Sequence, residues 1–494
     1  VTCPHRALAA VIGISLVLRL AWAATLETGN DEGYHYLFTV YPSLSYFDHP
    51  PMTMVIEQIG LHLCGGWVHP FSLRLGFVLL FTASTWILAR WTARWFGDWA
   101  GVGSALLLSL TPYYFAAAGS FALPDGPFLF FGLLTLSRLT DVLAENSTRT
   151  KPWIEVGIFW AGALLSKYHA IFLPAGALLF IAMTPRLRRV LITPGPYLAT
   201  AIGLIGFVPV LVWNLQNDWA SFAFQGSRAI GSTFRPEGLG TMVGGLVAYL
   251  SPLIWFLLLS RFLFGILRWR AHSESERFLV CASAVPLAFF LAVSCVRPSL
   301  PHWSLIAFVP LYPMAGARLA HLAMTRSRLI RALTLIQITG LLTCMLTFAI
   351  HARFGILKLH PDPAAEISGW ESVAKELNFR GLVGKPNSFF ITCNWYQSGQ
   401  LAFAIRNRSP VLCYNAGDAR GFAYWSRPEE WLGKNATLVC IDNPSGHAAN
   451  ISPYFHRIEP AGSFPMSRNG RPFQTVYLFN CVDQRTPFPF SNKR

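Results

Sequence analysis

Apolar residues come in eleven long runs, near 7–26, 71–89, 99–117, 126–143, 154–166, 169–184, 196–213, 241–260, 278–296, 304–322 and 331–351, with polar loops between them. Runs of this kind cross about 30 Å of hydrocarbon as helices, because only a segment that satisfies its own backbone N–H and C=O groups is tolerated there. The pattern predicts an all-α polytopic membrane protein with about eleven transmembrane helices. The two runs that flank Lys167 are shorter than a full span, so the count is softest there. After Phe354 the pattern changes. Pro361-Asp362-Pro363 interrupts the chain, and no later run is long enough to span. Trp370 to Phe379 has helical spacing. Short β-branched and apolar runs at 388–393, 410–414, 436–441 and 475–479 read as strands. A small C-terminal α/β domain, 354–494, is thus expected beside a transmembrane domain, 1–353, whose functional loops are 27–70, 117–126, 214–240 and 297–303. The tail from Pro487 to Arg494 is expected to fray.

Composition supports this reading, with 53% hydrophobic and 13% charged residues. The net charge of +15 would suit a nucleic-acid partner, but the basic residues fall in alternate loops: Arg90 and Arg94, Arg149 and Lys151, Arg186 to Arg189, Arg261 to Arg277, and Arg326 to Arg331. That alternation is how membrane proteins set their orientation. It puts the N-terminus in the cytoplasm and, with an odd number of spans, the C-terminal domain outside, and it leaves no need for nucleic acid. Ala21-Trp22-Ala23 resembles a signal-peptide cleavage site, but Arg19 interrupts the apolar run, so the first span is expected to be retained. Cys393, Cys413, Cys440 and Cys481 lie in strand-like runs and read as packed thiols, with disulfides left open.

The informative chemistry is in the first polar loop. Asn30-Asp31-Glu32-Gly33-Tyr34-His35-Tyr36 and Tyr46-Phe47-Asp48-His49-Pro50-Pro51-Met52 bring three carboxylates and two imidazoles into a stretch without Lys or Arg. Asp31 and Glu32 follow a capping turn, so favourable interaction with a helix dipole, worth about 0.3–1 kcal/mol each, accounts for them in part. The double proline stiffens the chain behind Asp48. Asp125 stands between prolines in Leu123-Pro124-Asp125-Gly126-Pro127. Cations are expected on the same face: Lys167, Arg228, Arg235 and Arg297, with His302. A charge between two apolar segments, as at Lys167, is costly unless paired or functional, although a Lys there can also snorkel to the interface. Carboxylates facing cations suit a reaction in which one acid takes a proton from a hydroxyl while the cations hold a phosphate leaving group.

On these residues the chain resembles the polytopic glycosyltransferases of the GT-C fold, similar to aminoarabinose transferases and protein O-mannosyltransferases. Ser166-Lys167-Tyr168, Val212-Trp213-Asn214 with Trp219-Ala220-Ser221-Phe222, and Pro301-His302-Trp303 extend the match along nearly the whole chain. The resemblance implies transfer of a sugar from a polyprenyl phosphate donor to a lipid, glycan or protein acceptor, at the outer face of a bacterial inner membrane, in the modification of lipopolysaccharide or another envelope glycan. It assigns Asp31 as general base with Glu32 beside it, Asp125 as the second acidic loop, and Lys167, Arg228, Arg297, His302 and His49 as partners of the donor phosphate. In some relatives the position of Asp48 binds a divalent metal. Two departures bear on this: His49 stands where aminoarabinose transferases carry Lys, and Arg228 lies where many relatives supply a metal-binding His. A metal at Asp48 is therefore left open. The alternative reading is a transporter or flippase of a polyprenyl-linked substrate. It is disfavoured because the acids gather in a loop and no broken-helix repeat is evident.

Overall fold

The computed structural model describes residues 3–490 apart from 147, 148, 232, 360 and 442. The first half runs α1 (Pro4–Thr25), α2 (Asn30–Val40), α3 (Met52–Leu63), α4 (Pro70–Phe96), α5 (Asp98–Leu110), α6 (Asp125–Ala144), α7 (Thr150–Ser166) and α8 (Phe172–Met183). It continues with α9 (Pro194–Gln216), α10 (Ala220–Ser227), α11 (Glu237–Leu250), α12 (Pro252–Leu267), α13 (Glu274–Ser294), α14 (Tyr312–Thr325) and α15 (Ser327–Phe354). Each of the eleven apolar runs is helical. Among the described residues six helices, α1, α4, α6, α9, α13 and α15, are long and apolar enough to cross a membrane, or up to eight if two bent pairs count as spans. The segments at 99–117, 154–166 and 169–184 form shorter helices.

Two expected spans are bent at a break, the run at 304–322 by 41° after Ala307 and the run at 241–260 far more sharply. The run at 241–260 is not a single rod but α11 and α12, which meet at 113°. Pro252 has no N–H to continue the helix, and Ser251 turns the chain with φ 69°. The Ser251 hydroxyl donates to Gln337 on α15, and the Gln337 amide donates in turn to the Leu110 carbonyl, so the bend is tied into the bundle. Farther along, ion pairs join the C-terminal ends of α4 and α6 to the start of α7 through Arg94, Arg138, Asp141 and Glu155.

Beyond α15, α16 (Trp370–Phe379) and α17 (Trp395–Ala404) pack with a five-stranded sheet. Its strands are β1 (Ser388–Thr392), β2 (Val411–Cys413), β3 (Asn435–Cys440), β4 (Phe455–Arg468) and β5 (Arg471–Gln484), in the order β2-β1-β3-β5-β4. β1 is parallel to β2 and β3, and the β4–β5 hairpin is antiparallel. β4 escaped the sequence pattern because it is an edge strand with Pro460, Gly462 and Pro465 inside it and a register shift between Pro460 and Ser463. An edge tolerates such residues because its outward N–H groups have no ladder to join. Cys413, Cys440 and Cys481 are buried thiols within this sheet, and Cys393 is buried just past the end of β1. Pro487 to Phe490 does not fray: Phe488 is buried and stacks on Tyr414 with ring centroids 4.3 Å apart. Residues 491–494 of that tail lie outside the described residues.

The first polar loop shares its core with the sheet. α2 buries Tyr34, Tyr36, Leu37 and Phe38 in one cluster with residues of α16, α17 and the strands. α2 and α17 approach backbone to backbone. A Cβ on Gly33 would lie 2.9 Å from the Gln400 backbone, and one on Gly399 would lie 2.6 Å from Tyr34 N. Gln400 completes the junction: its amide donates to the carbonyls of Thr28 (2.7 Å) and Glu366 (2.8 Å), and its oxygen accepts from the Thr28 hydroxyl.

Beside this junction α3 carries Glu57, fully buried, with no hydrogen-bond partner for either carboxylate oxygen among the described residues. Burial, reinforced by the nearby Glu32, raises its pKa well above the ordinary value of 4.5. Folding therefore takes up a proton here. The stability this proton confers is fully present below the unfolded value and is lost as pH rises toward the folded one, by up to about 1.4 kcal/mol per pH unit. Glu57→Gln cannot ionise. Its melting temperature in detergent, followed from pH 5 to pH 8, is expected to fall less steeply than that of the wild type.

Candidate functional site

A cavity of about 880 Å³ lies between the helical bundle and the α/β domain, and its wall includes Asp31, Asp48, His49, Asp125, Lys167, Arg228 and His302. Residues from five separated loops are thus brought together. Asp31 sits in the first turn of α2, exposed into this space, while Gly33 and Gln400 hold the helix from behind. The other flank is apolar. Ile171 and Phe172 at the start of α8, Phe289, Phe290 and Val293 near the end of α13, and Leu300 form it.

Asp48 is held by the loop that closes α2. Tyr46 N donates to the His49 carbonyl at 3.1 Å, and the Tyr46 ring stacks on Phe38 at 3.8 Å. Asp48 is itself buried. Its Oδ1 accepts from the Tyr34 hydroxyl at 3.2 Å, and its Oδ2 pairs with the guanidinium of Arg420 at 3.2 Å. The adjacent His49 imidazole faces the ring of His35, centroids 5.5 Å apart. Burial, then the charges of His35, Lys167 and Arg420, hold its pKa well below the ordinary imidazole value, so it is neutral at pH 7. A neutral ring contributes no net charge toward a phosphate.

Lys167 does not snorkel. The chain leaves helical geometry at Lys167 (φ −157°, ψ 139°), between α7 and the turn into α8, and this break turns the side chain inward. Its Nζ donates to both oxygens of Asp125, at 2.8 and 3.0 Å, with both side chains largely buried. The expected phosphate anchor and the second acidic loop are therefore each other's partner. Arg228 follows α10, which is aimed by a turn: Asn214 accepts from Phe222 N, and Trp219 takes φ 59°. The Arg228 guanidinium lies 4.6 Å from the Trp303 ring and 5.0 Å from the Phe224 ring. Among the described residues it has no ion pair within 4 Å. His302 stacks on Tyr113 at 5.7 Å.

Two assignments need correction. Glu32 does not face the cavity: it is buried in an ion pair with Arg74 (2.6 and 2.8 Å) and also accepts from Gly29 N and Ala122 N. Arg74 spends its other N–H groups on the carbonyls of Ala23, Leu26 and Glu27. Glu32 thus anchors the loop and stands outside the cavity wall. Arg297 is absent from the cavity wall. It is exposed, and its Nε donates to the Ile230 carbonyl, so it braces the loop before α11. Arg420 was missed. It comes from Asn415-Ala416-Gly417-Asp418-Ala419-Arg420, a turn-rich segment whose sequence offers one isolated cation and no periodicity.

The resemblance raises a metal at Asp48, but the residues there do not fit one. Both oxygens are engaged by Tyr34 and Arg420, and among the described residues no group of three His, Cys, Asp or Glu side chains is disposed to hold a metal ion.

Residues 48–213 match the family described as Dolichyl-phosphate-mannose-protein mannosyltransferase. The chain is 26% identical over 341 residues to Undecaprenyl phosphate-alpha-4-amino-4-deoxy-L-arabinose arabinosyl transferase of Erwinia tasmaniensis, covering 64% of this chain and 58% of that one. It is 23% identical over 322 residues to Lipid A galacturonosyltransferase RgtD of Rhizobium johnstonii, covering 62% and 64%. The matches thus span somewhat under two thirds of these curated relatives. The structure of ArnT from Cupriavidus metallidurans bound to undecaprenyl phosphate superposes with a TM-score of 0.64 at 15% identity, covering 97% of this chain and 99% of that one. The chain has the GT-C fold. Within the GT-C fold the site described above lies where helical bundle and α/β domain meet, and both parts build its wall.

Proposed function

We propose that this chain is an integral-membrane glycosyltransferase that moves a sugar from a polyprenyl phosphate donor to a lipid, glycan or protein hydroxyl. The observation that carries the reading is one cavity with Asp31 exposed in its wall, cations around it and an apolar flank on α8 and α13. Asp31 takes the proton of the acceptor hydroxyl, whose oxygen attacks the anomeric carbon with inversion. The bond from that carbon to the phosphate oxygen breaks, and polyprenyl phosphate leaves with both electrons. Arg228, without a carboxylate partner among the described residues, is placed to meet the phosphate charge, and the Asp125–Lys167 pair and His302 flank it. The apolar flank suits a prenyl chain. Similarity to transferases named for undecaprenyl phosphate and lipid A supports the donor and acceptor classes.

The basic loops favour an N-terminus in the cytoplasm and a cavity opening on the outer, periplasmic face of a bacterial inner membrane. Purified protein in detergent, given donor labelled in the sugar together with a membrane extract, is expected to place the label in an acceptor. Label that remains on the donor with every extract would overturn the reading.

A further inference from the structure

In some relatives the resemblance puts a divalent metal at the position of Asp48, and the structure puts a guanidinium there. Arg420 reaches Asp48 from the α/β domain at 3.2 Å, and its guanidinium carbon lies 3.5 Å from the centroid of the Trp395 ring on α17. The loop that delivers it is built for the purpose. Asn415 Oδ1 accepts from Gly417 N and Asp418 N, each at 3.0 Å, and its amide donates to the Cys393 carbonyl at the end of β1. Arg420 itself takes φ 47°, a left-handed conformation costly for a side chain with a Cβ and kept only where the surroundings impose it. Next in sequence, Gly421 N donates to the Tyr34 hydroxyl at 3.0 Å, and that hydroxyl donates to Asp48. One short loop therefore contacts Asp48 twice, directly through Arg420 and indirectly through Tyr34. Burial pulls the guanidinium pKa down, but Asp48, Tyr34 and Asp31 outweigh it and leave it above its ordinary value, so this cation does not titrate.

Arg228 completes the arrangement, because both guanidinium groups lie against the ring of Phe224, at 5.0 and 6.0 Å. A planar cation able to bond in a bidentate way can neutralise a carboxylate as a metal ion does, and among the described residues no three His, Cys, Asp or Glu side chains are grouped to hold such an ion.

We propose that Arg420 is the resident cation of Asp48, standing in for a divalent metal, so that sugar transfer by this chain requires the docked α/β domain and no metal ion. The inference rests on the glycosyltransferase reading, and Arg420 acts in it as a positioning residue through Asp48. Wild-type transfer is expected to be unchanged, within about twofold, after treatment with EDTA and after addition of Mn²⁺ or Zn²⁺. Arg420→Gln keeps a planar group over Trp395 but removes the charge. It is expected to lower kcat by about 10²-fold with little change in KM, and Arg420→Lys or added guanidinium is expected to restore part of the loss. Thermal unfolding establishes that the variants are folded. Activity abolished by EDTA and restored by Mn²⁺ or Zn²⁺, or full activity in folded Arg420→Gln, would overturn the proposal while leaving the glycosyltransferase reading intact. If the wild type transfers no sugar, that reading fails, and calorimetry still decides the cation: no Mn²⁺ or Zn²⁺ binding dependent on Asp48 is expected. Binding to the wild type that Asp48→Asn removes would overturn it.

Discussion

Asp31→Asn is expected to lower kcat by about 10²–10⁴-fold while leaving the protein folded. The carboxylate is exposed in the cavity, without an ion pair among the described residues, and the amide that replaces it cannot accept the acceptor's proton. Asp31 also lies in the first turn of α2, where loss of a negative charge costs about 0.3–1 kcal/mol. That small cost separates the chemical role from the structural one. Single-turnover transfer measured beside a thermal unfolding curve is expected to show a collapse of rate with a melting temperature nearly unchanged. Equal activity in the two proteins would remove Asp31 from the mechanism.

Arg74→Met is expected to have the opposite signature, a loss of about 3–5 kcal/mol in stability with activity following the folded fraction. The substitution leaves Glu32 buried with a charge and no cation, and it takes hydrogen bonds from three carbonyls, Ala23 in the last turn of α1 and Leu26 and Glu27 just after it. Pairing Arg74→Met with Glu32→Gln is expected to cost less than the sum of the single changes, because the orphaned charge disappears with its partner. Denaturation followed by tryptophan fluorescence reads both effects. A folded, stable Arg74→Met protein with lost transfer would instead place the Glu32–Arg74 pair in the chemistry.

These two neighbours show what the sequence makes legible and what it hides. Asp31 and Glu32 are adjacent, equally acidic and in the same helical turn, so composition and spacing cannot separate them. One residue of helical rotation sends Asp31 to the cavity and Glu32 to a buried Arg on α4, 42 positions away. The helical runs were readable because hydropathy and length dictate them, and four of the five strands because β-branched runs between turns do. The cost of burying Lys167 pointed to a partner, and Asp125 proved to be that partner. Arg297 and Arg420 went the other way. Each is a single cation in a loop: the packing of the α/β domain onto α2 brings Arg420 into the site, whereas Arg297 lies outside the cavity wall and bonds the Ile230 carbonyl. Glu57 was invisible for a related reason: an acid on a short helix shows no sign of burial in the sequence, and it is the packing of α4 and α2 on α3 that encloses it.

The central claim is that the bond between sugar and phosphate breaks in this cavity. Purified protein given a donor carrying one label in the sugar and a second in the lipid phosphate tests it in a single reaction. The expected result is that the labels part, the sugar in the acceptor and an equal amount of polyprenyl phosphate released, with Asp31→Asn blocking both. Labels that stay together on one lipid while it changes leaflets in reconstituted vesicles would contradict the account and identify a transporter.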